Sequence, residues 1–224
     1  MRSRHACLRR YAVAWVYLAV FTAFDITLAL LPEDDRSAVQ EWASTNLVNL
    51  RHDPLGSLVV SALIPGEEFV AWPFLIAMAL FGATRVLGNR RTLIVCVSGQ
   101  VLGTLVSEGI AGYRISQGLL PESASRIIDI GPSYVVVAAI TVAVLYGPWL
   151  VRLLAAVDLV LLIVGGGIFD GLTSFQVSAV GHTTSIVVAA VLGSVLVARL
   201  RRGQAVRAGS APGPPADSGA PAAS

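Results

Sequence analysis

Long runs of apolar residues, separated by short polar connections, dominate the chain from residue 11 to residue 200. A helix needs roughly 20 apolar residues to cross a bilayer, at about 1.5 Å of rise per residue. Six runs reach or approach this length and predict transmembrane helices at Tyr11–Leu31, Phe69–Thr84, Thr92–Ile110, Ile130–Tyr146, Leu150–Phe169 and Val177–Val197. The apolar stretch Pro54–Ile64 is too short to cross and is expected to lie in the membrane interface or dip into it. The pattern predicts an all-α polytopic membrane protein built as a six-helix bundle.

The composition agrees with an apolar solvent around the protein. Hydrophobic residues make up 55% of the 224 positions and charged residues only 13%, whereas a soluble domain carries about 25% charged residues. The lipid bilayer is therefore the expected surrounding, and no nucleic-acid partner is expected. The two cysteines fall short of the roughly four ligands of a zinc site, and the predicted chemistry needs no metal or organic cofactor.

The sixteen basic residues, all of them arginines, are divided unevenly between the two sides of the predicted bundle. Twelve lie on the side of the termini and four on the opposite side. The positive-inside rule then places both termini in the cytoplasm, with the chain as a multi-pass protein of the cell membrane. We expect a basic stub at residues 1–10, a membrane domain at 11–200 and a disordered cytoplasmic tail at 201–224, which is rich in Pro, Ala, Gly and Ser. The first apolar run exceeds the 7–15 residues or so of a signal peptide and predicts an uncleaved anchor.

Polar residues at membrane depth are costly and therefore mark candidate functional positions. The ionisable ones are Asp25, Glu108, Asp158 and His182, and the uncharged ones include Gln100 and Ser133. The positions of Asp25 and Glu108 near the outer interface favour simple solvation. Asp158 is close enough to Arg152 along the fifth span for an ion pair.

Ser133 and His182 are predicted to lie at similar depth in the outer half of the bilayer. Ser133 is roughly 20 Å above the inner end of the fourth span, and His182 is roughly 25 Å above that of the sixth. Small residues at every fourth position of the sixth span form a ridge that allows close approach of a neighbouring helix: Gly181, Ser185, Ala189 and Gly193. If that neighbour is the fourth span, the two side chains can meet as a nucleophile and its base. Two simpler alternatives are a helix-capping role for Ser133 and an interhelical hydrogen bond for His182.

Several short motifs, in this order along the six spans, resemble those of the rhomboid superfamily and of its bacterial rhomboid-like membrane proteins. They are Ser44-Thr-Asn-Leu-Val-Asn-Leu, Leu87-Gly-Asn-Arg-Arg, Ser107-Glu-Gly, Asp129-Ile-Gly-Pro-Ser-Tyr and Gly181-His. The resemblance covers about Ala12 to Val197. Rhomboid proteases cut other membrane proteins with a serine at the start of the fourth span and a histidine on the sixth. The resemblance therefore implies a catalytic dyad of Ser133 and His182, with transmembrane proteins as substrates.

The chain departs from the protease pattern around that dyad. The family motif Gly-x-Ser-Gly reads Gly131-Pro-Ser-Tyr here, so that Tyr134 replaces the glycine after the serine. The second-span His-x-x-x-Asn pair, which stabilises the oxyanion in the family, corresponds to Glu68 and Trp72. Neither is a good replacement donor, and Gln100 is a substitute candidate.

Three functions follow as hypotheses. The first is intramembrane serine proteolysis by Ser133 and His182, with Gln100, Gly131 and Tyr134 as supporting residues. The second, favoured by the missing donors and by Tyr134, is a catalytically inactive protein that binds the transmembrane segments of clients. The third is a small transporter or channel that uses Asp25, Glu108 and Asp158.

Overall fold

A computed structural model of the chain describes residues 8–66 and 71–209. Helices α1 to α4 are Ala12–Ala29, Glu33–Ala43, Leu47–His52 and Pro54–Ser61. Helices α5 to α9 are Trp72–Leu87, Asn89–Ser116, Ser133–Tyr146, Trp149–Val164 and Val177–Gly209. Short 3-10 turns occur at Glu122–Arg126 and Leu172–Ser174. The described residues contain no β-strand, and the predicted all-α fold class is confirmed.

Three of these helices are long and apolar enough to cross a membrane, namely α1, α6 and α9. Helices α5, α7 and α8 are apolar but shorter, with 16, 14 and 16 residues. At about 1.5 Å per residue they cover only part of the roughly 30 Å hydrocarbon layer. The count of six spans therefore stays a prediction.

The structure moves several of the predicted boundaries. Helix α6 begins three residues before the predicted Thr92 and runs six residues past Ile110, to Ser116. Helix α8 ends at Val164 rather than Phe169, because three consecutive glycines follow and glycine is a poor helix former. The predicted start of the second span, Phe69, lies outside the described residues.

Helix α9 continues well beyond the predicted end of the sixth span at Val197. It runs to Gly209 and so includes the first nine residues of the predicted disordered tail at 201–224. The helix extends this far because alanine, arginine and glutamine are strong helix formers and outweigh the glycine at position 203. The rest of the predicted tail, residues 210–224, and residues 1–7 of the predicted stub lie outside the described residues.

Helix α7 is the centre of the bundle. Ten consecutive residues, Tyr134 to Ala143, are buried, and the helix packs against α5, α6, α8 and α9. Its short length fits this position, since protein rather than lipid surrounds most of it. Ser133, the candidate nucleophile, is the first residue of this helix. Packing against four neighbouring helices therefore fixes the orientation of the helix that carries it.

Small residues bring α6, α7 and α9 close together, as the ridge on the sixth span predicts. Gly99 of α6 faces Ala138 of α7, and a Cβ added at Gly99 would lie 2.7 Å from the alanine Cβ. The Ser185 hydroxyl of α9 donates a hydrogen bond of 2.8 Å to the Gly99 carbonyl. The ridge therefore packs against two helices, α6 as well as the predicted α7.

The segment after α1 forms three short helices, and its last part dips into the bundle. Helix α4 has eight residues and is too short to cross a bilayer, as predicted. The Ser61 hydroxyl at its end accepts a hydrogen bond from Gln100, eleven residues into α6, and the Tyr17 hydroxyl of α1 donates to the Ala62 carbonyl. Inside a membrane, backbone without helical hydrogen bonds is tolerated only where protein covers it. The contacts with α1 and α6 provide this cover for the end of α4.

Candidate functional site

Ser133 is the first residue of α7 and follows Gly131 and Pro132. Its side chain is half-buried and makes no hydrogen bond within the described residues, while the N-cap position of the helix is Pro132. The simple capping alternative therefore has no support in the observed contacts. The hydroxyl lies at a narrow cleft lined by Thr45, Ser61, Gln100, Asp129, Ile130, Gly131, Ser133 and Tyr134.

Gln100 and Gly131, two of the predicted supporting residues, shape this cleft. The Gln100 side-chain Nε2 donates to the Ser61 hydroxyl at 3.3 Å, while its Oε1 is buried without a partner among the described residues. The Gly131 N–H donates to the Ser61 carbonyl at 2.9 Å. Gly131 has φ of 133°, a conformation that favours glycine, so this residue sets the approach of the chain to Ser133.

His182 lies on α9 and is buried. Its Nδ1 is 2.9 Å from the Ile168 carbonyl, and because a carbonyl only accepts, this nitrogen carries the proton. The other nitrogen, Nε2, then has a free lone pair, and it is buried without a hydrogen-bond partner in the described part of the chain. This tautomer is the one that a general base requires.

Tyr134 is the aromatic neighbour of His182. The two rings meet edge to face, with centroids 5.0 Å apart and an interplanar angle of 80°. The phenol lies directly over Gly181, where an added Cβ would be 2.2 Å from the Tyr134 Cζ and hydroxyl oxygen. The hydroxyl donates to Asp129 Oδ2 at 3.1 Å and is 3.4 Å from the Val177 carbonyl. The tyrosine thus fills the space between α7 and the start of α9.

The structure brings the predicted site residues together in two groups. Ser133, Gln100, Gly131 and Tyr134 share the cleft, and His182 contacts the ring of Tyr134. No hydrogen bond joins Ser133 to His182 within the described residues, so the catalytic dyad stays a prediction. Of the two positions that correspond to the family's oxyanion donors, Trp72 begins α5 and Glu68 lies outside the described residues.

Ser44, Thr45 and Asp129 form a hydrogen-bonded group beside the cleft, which we call the clasp. These residues belong to the motifs quoted above, but the sequence did not predict that they meet. The Thr45 hydroxyl donates to the Asp129 carbonyl at 3.0 Å and contacts Asp129 Oδ2 at 3.2 Å. The Asp129 N–H donates to the Ser44 hydroxyl at 2.9 Å. Burial raises the pKa of Asp129, and hydrogen bonds from Tyr134 and Thr45 oppose that shift. A run of Ser, Thr and Asn directly after α2 was the available signal.

The remaining buried acids do not support the predicted ion pair. Both carboxylate oxygens of Asp158 are buried without a hydrogen-bond partner among the described residues, and Arg152 donates instead to the Leu145 carbonyl at 2.7 Å. Glu108 is also buried rather than solvated and contacts the backbone of Leu47. Within residues 8–66 and 71–209, no three His, Cys, Asp or Glu side chains are grouped to hold a metal ion.

Comparison with known proteins gives one family match. Searches of curated proteins and of solved structures found no significant match. The family model described as "rhomboid-like protein" matches residues 6–202, which include all of the cleft, the clasp and His182. The chain therefore belongs to the rhomboid-like protein family.

Proposed function

We propose that this membrane protein binds the transmembrane segments of other membrane proteins without cutting them. The observation that carries the proposal is the position of Tyr134, which occupies the space beside His182 and lies directly over Gly181. A serine nucleophile requires its base within about 2.6–3.2 Å. With the tyrosine ring against His182, and no hydrogen bond from Ser133 to His182 among the described residues, the nucleophile has no activating partner.

Two further features support a non-catalytic role. As the described residues line it, the cleft at Ser133 has no space for a water molecule, whereas hydrolysis of an acyl-enzyme needs one. The family's oxyanion donors are also replaced, and removal of one such donor costs about 100- to 1000-fold in rate. Trp72 offers a single indole N–H at one of these positions.

Helix α8 is the proposed contact for a client helix. Only three of its residues are buried, Ala155, Asp158 and Leu162, in one narrow stripe. The central residue of the stripe is the carboxylate without a hydrogen-bond partner in the described residues, and an unmet polar group weakens packing in a membrane. Asp158 itself is fully buried inside the bundle, so a client helix would pack on the exposed apolar side of α8, which includes Leu153, Val160 and Leu161.

The proposal is tested with the purified, folded protein in two parallel measurements. The first is labelling by a fluorophosphonate serine-hydrolase probe of the wild type, Ser133→Ala, His182→Ala and Tyr134→Gly. The second is energy transfer in nanodiscs between a terminal fluorophore on the chain and labelled single-span helices. We expect saturable energy transfer, intact single-span helices and no labelling of the wild type. Labelling that disappears in Ser133→Ala and His182→Ala would refute the non-catalytic reading.

Proteolysis is the second candidate, and one observation favours it. The tautomer of His182 leaves Nε2 free to accept a proton. If a client helix displaced Tyr134, Ser133 could give its proton to that nitrogen and attack a peptide carbonyl of the client. The peptide C–N bond then breaks, the proton passes to the leaving amine, and an acyl-enzyme forms. The Tyr134→Gly variant mimics this displacement and would then gain labelling that the wild type lacks.

For the arrangement in the membrane, we propose six spans in the cell membrane with both termini in the cytoplasm. What supports it is the concentration of arginines at one end of the bundle together with the positive-inside rule. Reporter fusions at each terminus test it, since an external reporter at either end would contradict the proposed orientation.

A further inference from the structure

One end of the bundle carries a concentrated positive charge, and we name it the arginine end. It consists of the start of α1, the turn between α5 and α6, the turn between α7 and α8, and the end of α9. The exposed arginines there include Arg9, Arg10, Arg85, Arg90, Arg152, Arg199, Arg201 and Arg202. No aspartate or glutamate occurs at this end within the described residues.

Asn89 gathers part of this charge at one corner. Its side-chain Oδ1 accepts from the Val13 N–H at 3.1 Å, and its Nδ2 donates to the Arg9 carbonyl at 2.7 Å. These bonds hold the backbone of Arg9 against the start of α6, the helix whose first turn carries Arg90 and Arg91, and Arg10 follows Arg9 directly in the chain. We call this group of four the arginine corner.

The arginines of the corner have no anionic partner in the described part of the protein. Arg10 lies over the ring of Tyr11, with its guanidinium carbon 5.5 Å from the centroid, and Arg91 contacts the Leu87 carbonyl at 3.4 Å. No ion pair of Arg9 or Arg90 occurs among the described residues. Four like charges held together in this way repel one another unless an anion lies between them.

Aromatic residues mark the depth of the corner relative to the membrane. The ring of Phe81 contacts both Tyr11, at 5.5 Å between centroids, and Trp15, at 4.9 Å. Tryptophan and tyrosine collect at the level of lipid headgroups. Arg9 and Arg10 precede this cluster in the chain and therefore lie at or just beyond the headgroup phosphates.

We propose that the arginine corner binds the headgroup phosphate of an anionic phospholipid such as phosphatidylglycerol. Guanidinium groups match phosphate oxygens in paired hydrogen bonds, which explains a preference for phosphate over other anions. The depth set by the aromatic cluster selects a lipid headgroup rather than a dissolved phosphate. The expected effect is about fivefold in affinity for each arginine near the headgroup.

The test is native mass spectrometry of the full-length protein in detergent, titrated with phosphatidylglycerol or with phosphatidylcholine of the same acyl chains. The corner variant carries Arg9→Gln, Arg10→Gln, Arg90→Gln and Arg91→Gln. The matched control removes four charges from α9 through Arg199→Gln, Arg201→Gln, Arg202→Gln and Arg207→Gln. A variant with lysine at the four corner positions keeps the positive charge. Thermal unfolding of every variant is measured in parallel and shows whether each one is folded.

We expect the wild type to favour phosphatidylglycerol by about tenfold or more, the corner variant to lose this preference and the α9 control to keep most of it. The lysine variant should keep only part of it, because an ammonium group attracts phosphate but cannot form the paired hydrogen bonds. Equal loss in the corner variant and the α9 control would show diffuse attraction and overturn the proposal. So would a wild type without preference, or a lysine variant as weak as the glutamine variant. Competition by inorganic phosphate as effective as that by the lipid would overturn the assignment to a headgroup.

Discussion

The close approach of Tyr134 to Gly181 predicts that the substitution Gly181→Ala destabilises the protein. An alanine Cβ would lie 2.2 Å from the Tyr134 Cζ and hydroxyl oxygen and 2.6 Å from Cε1, whereas ordinary contacts between such atoms are about 3.5–4.0 Å. The ring must therefore move by more than an ångström. That movement breaks its 3.1 Å hydrogen bond to Asp129.

The magnitude follows from three contributions. Overpacking of a core costs about 1–3 kcal/mol, and loss of the hydrogen bond costs about 0.5–1.5 kcal/mol. Alanine in a helix interior recovers about 1 kcal/mol relative to glycine. The net loss in the free energy of unfolding is then about 0.5–3.5 kcal/mol.

The chain offers a matched control and a rescue. Gly109 lies inside α6, where an added Cβ meets nothing within 4 Å, so Gly109→Ala should gain about 1 kcal/mol from helix propensity alone. In the background of Tyr134→Gly both costs disappear, so Gly181→Ala should stabilise the protein by about 1 kcal/mol, which a double-mutant cycle of unfolding in detergent measures. Equal stability of the two single alanine variants, or no rescue by Tyr134→Gly, would refute the packing argument.

Three further predictions concern the cleft and the buried acids. Gly131→Ala forces a side chain into a backbone with φ of 133° and should cost about 1–3 kcal/mol of unfolding free energy, whereas the comparison variant Gly109→Ala should lose none. Asp158→Leu removes a buried carboxylate whose oxygens lack partners among the described residues and should stabilise the protein by about 1–3 kcal/mol; a lower melting temperature would contradict this. Burial raises the pKa of Asp129 above its ordinary 3.8, so the folded protein keeps a proton that the unfolded chain releases. The unfolding free energy should therefore fall as pH rises from about 3.8 through the folded-state pKa. Asp129→Asn should flatten this slope, and an unchanged slope in that variant would count against the assignment.

The sequence was sufficient for the fold class because apolar runs of bilayer length have few alternatives. The spacing of Gly181, Ser185 and the following small residues also predicted close helix packing, which the Ser185 hydrogen bond to Gly99 bears out. The ends of α8 and α9 were harder to predict. At those ends, residue propensities decide where a helix stops, and hydropathy carries little information about them.

The site was predicted less completely than the fold. Depth estimates placed Ser133 and His182 at similar height, but depth says nothing about rotation of a helix about its axis. Tyr134 follows Ser133 by one residue and so points about 100° away from it on the helix, toward Gly181 and His182. The clasp of Ser44, Thr45 and Asp129 joins loops that are distant in sequence, and such pairings leave no local pattern.

The clasp also has a consequence for biosynthesis. Thr45 and Asp129 are 84 residues apart in the chain, and translation at about 5–20 residues per second separates their synthesis by about 4–17 s. During that interval the Thr45 segment has left the ribosome while its partner does not yet exist. The segment that contains Ser44 and Thr45 therefore stays without these hydrogen bonds until the segment before α7 has been inserted.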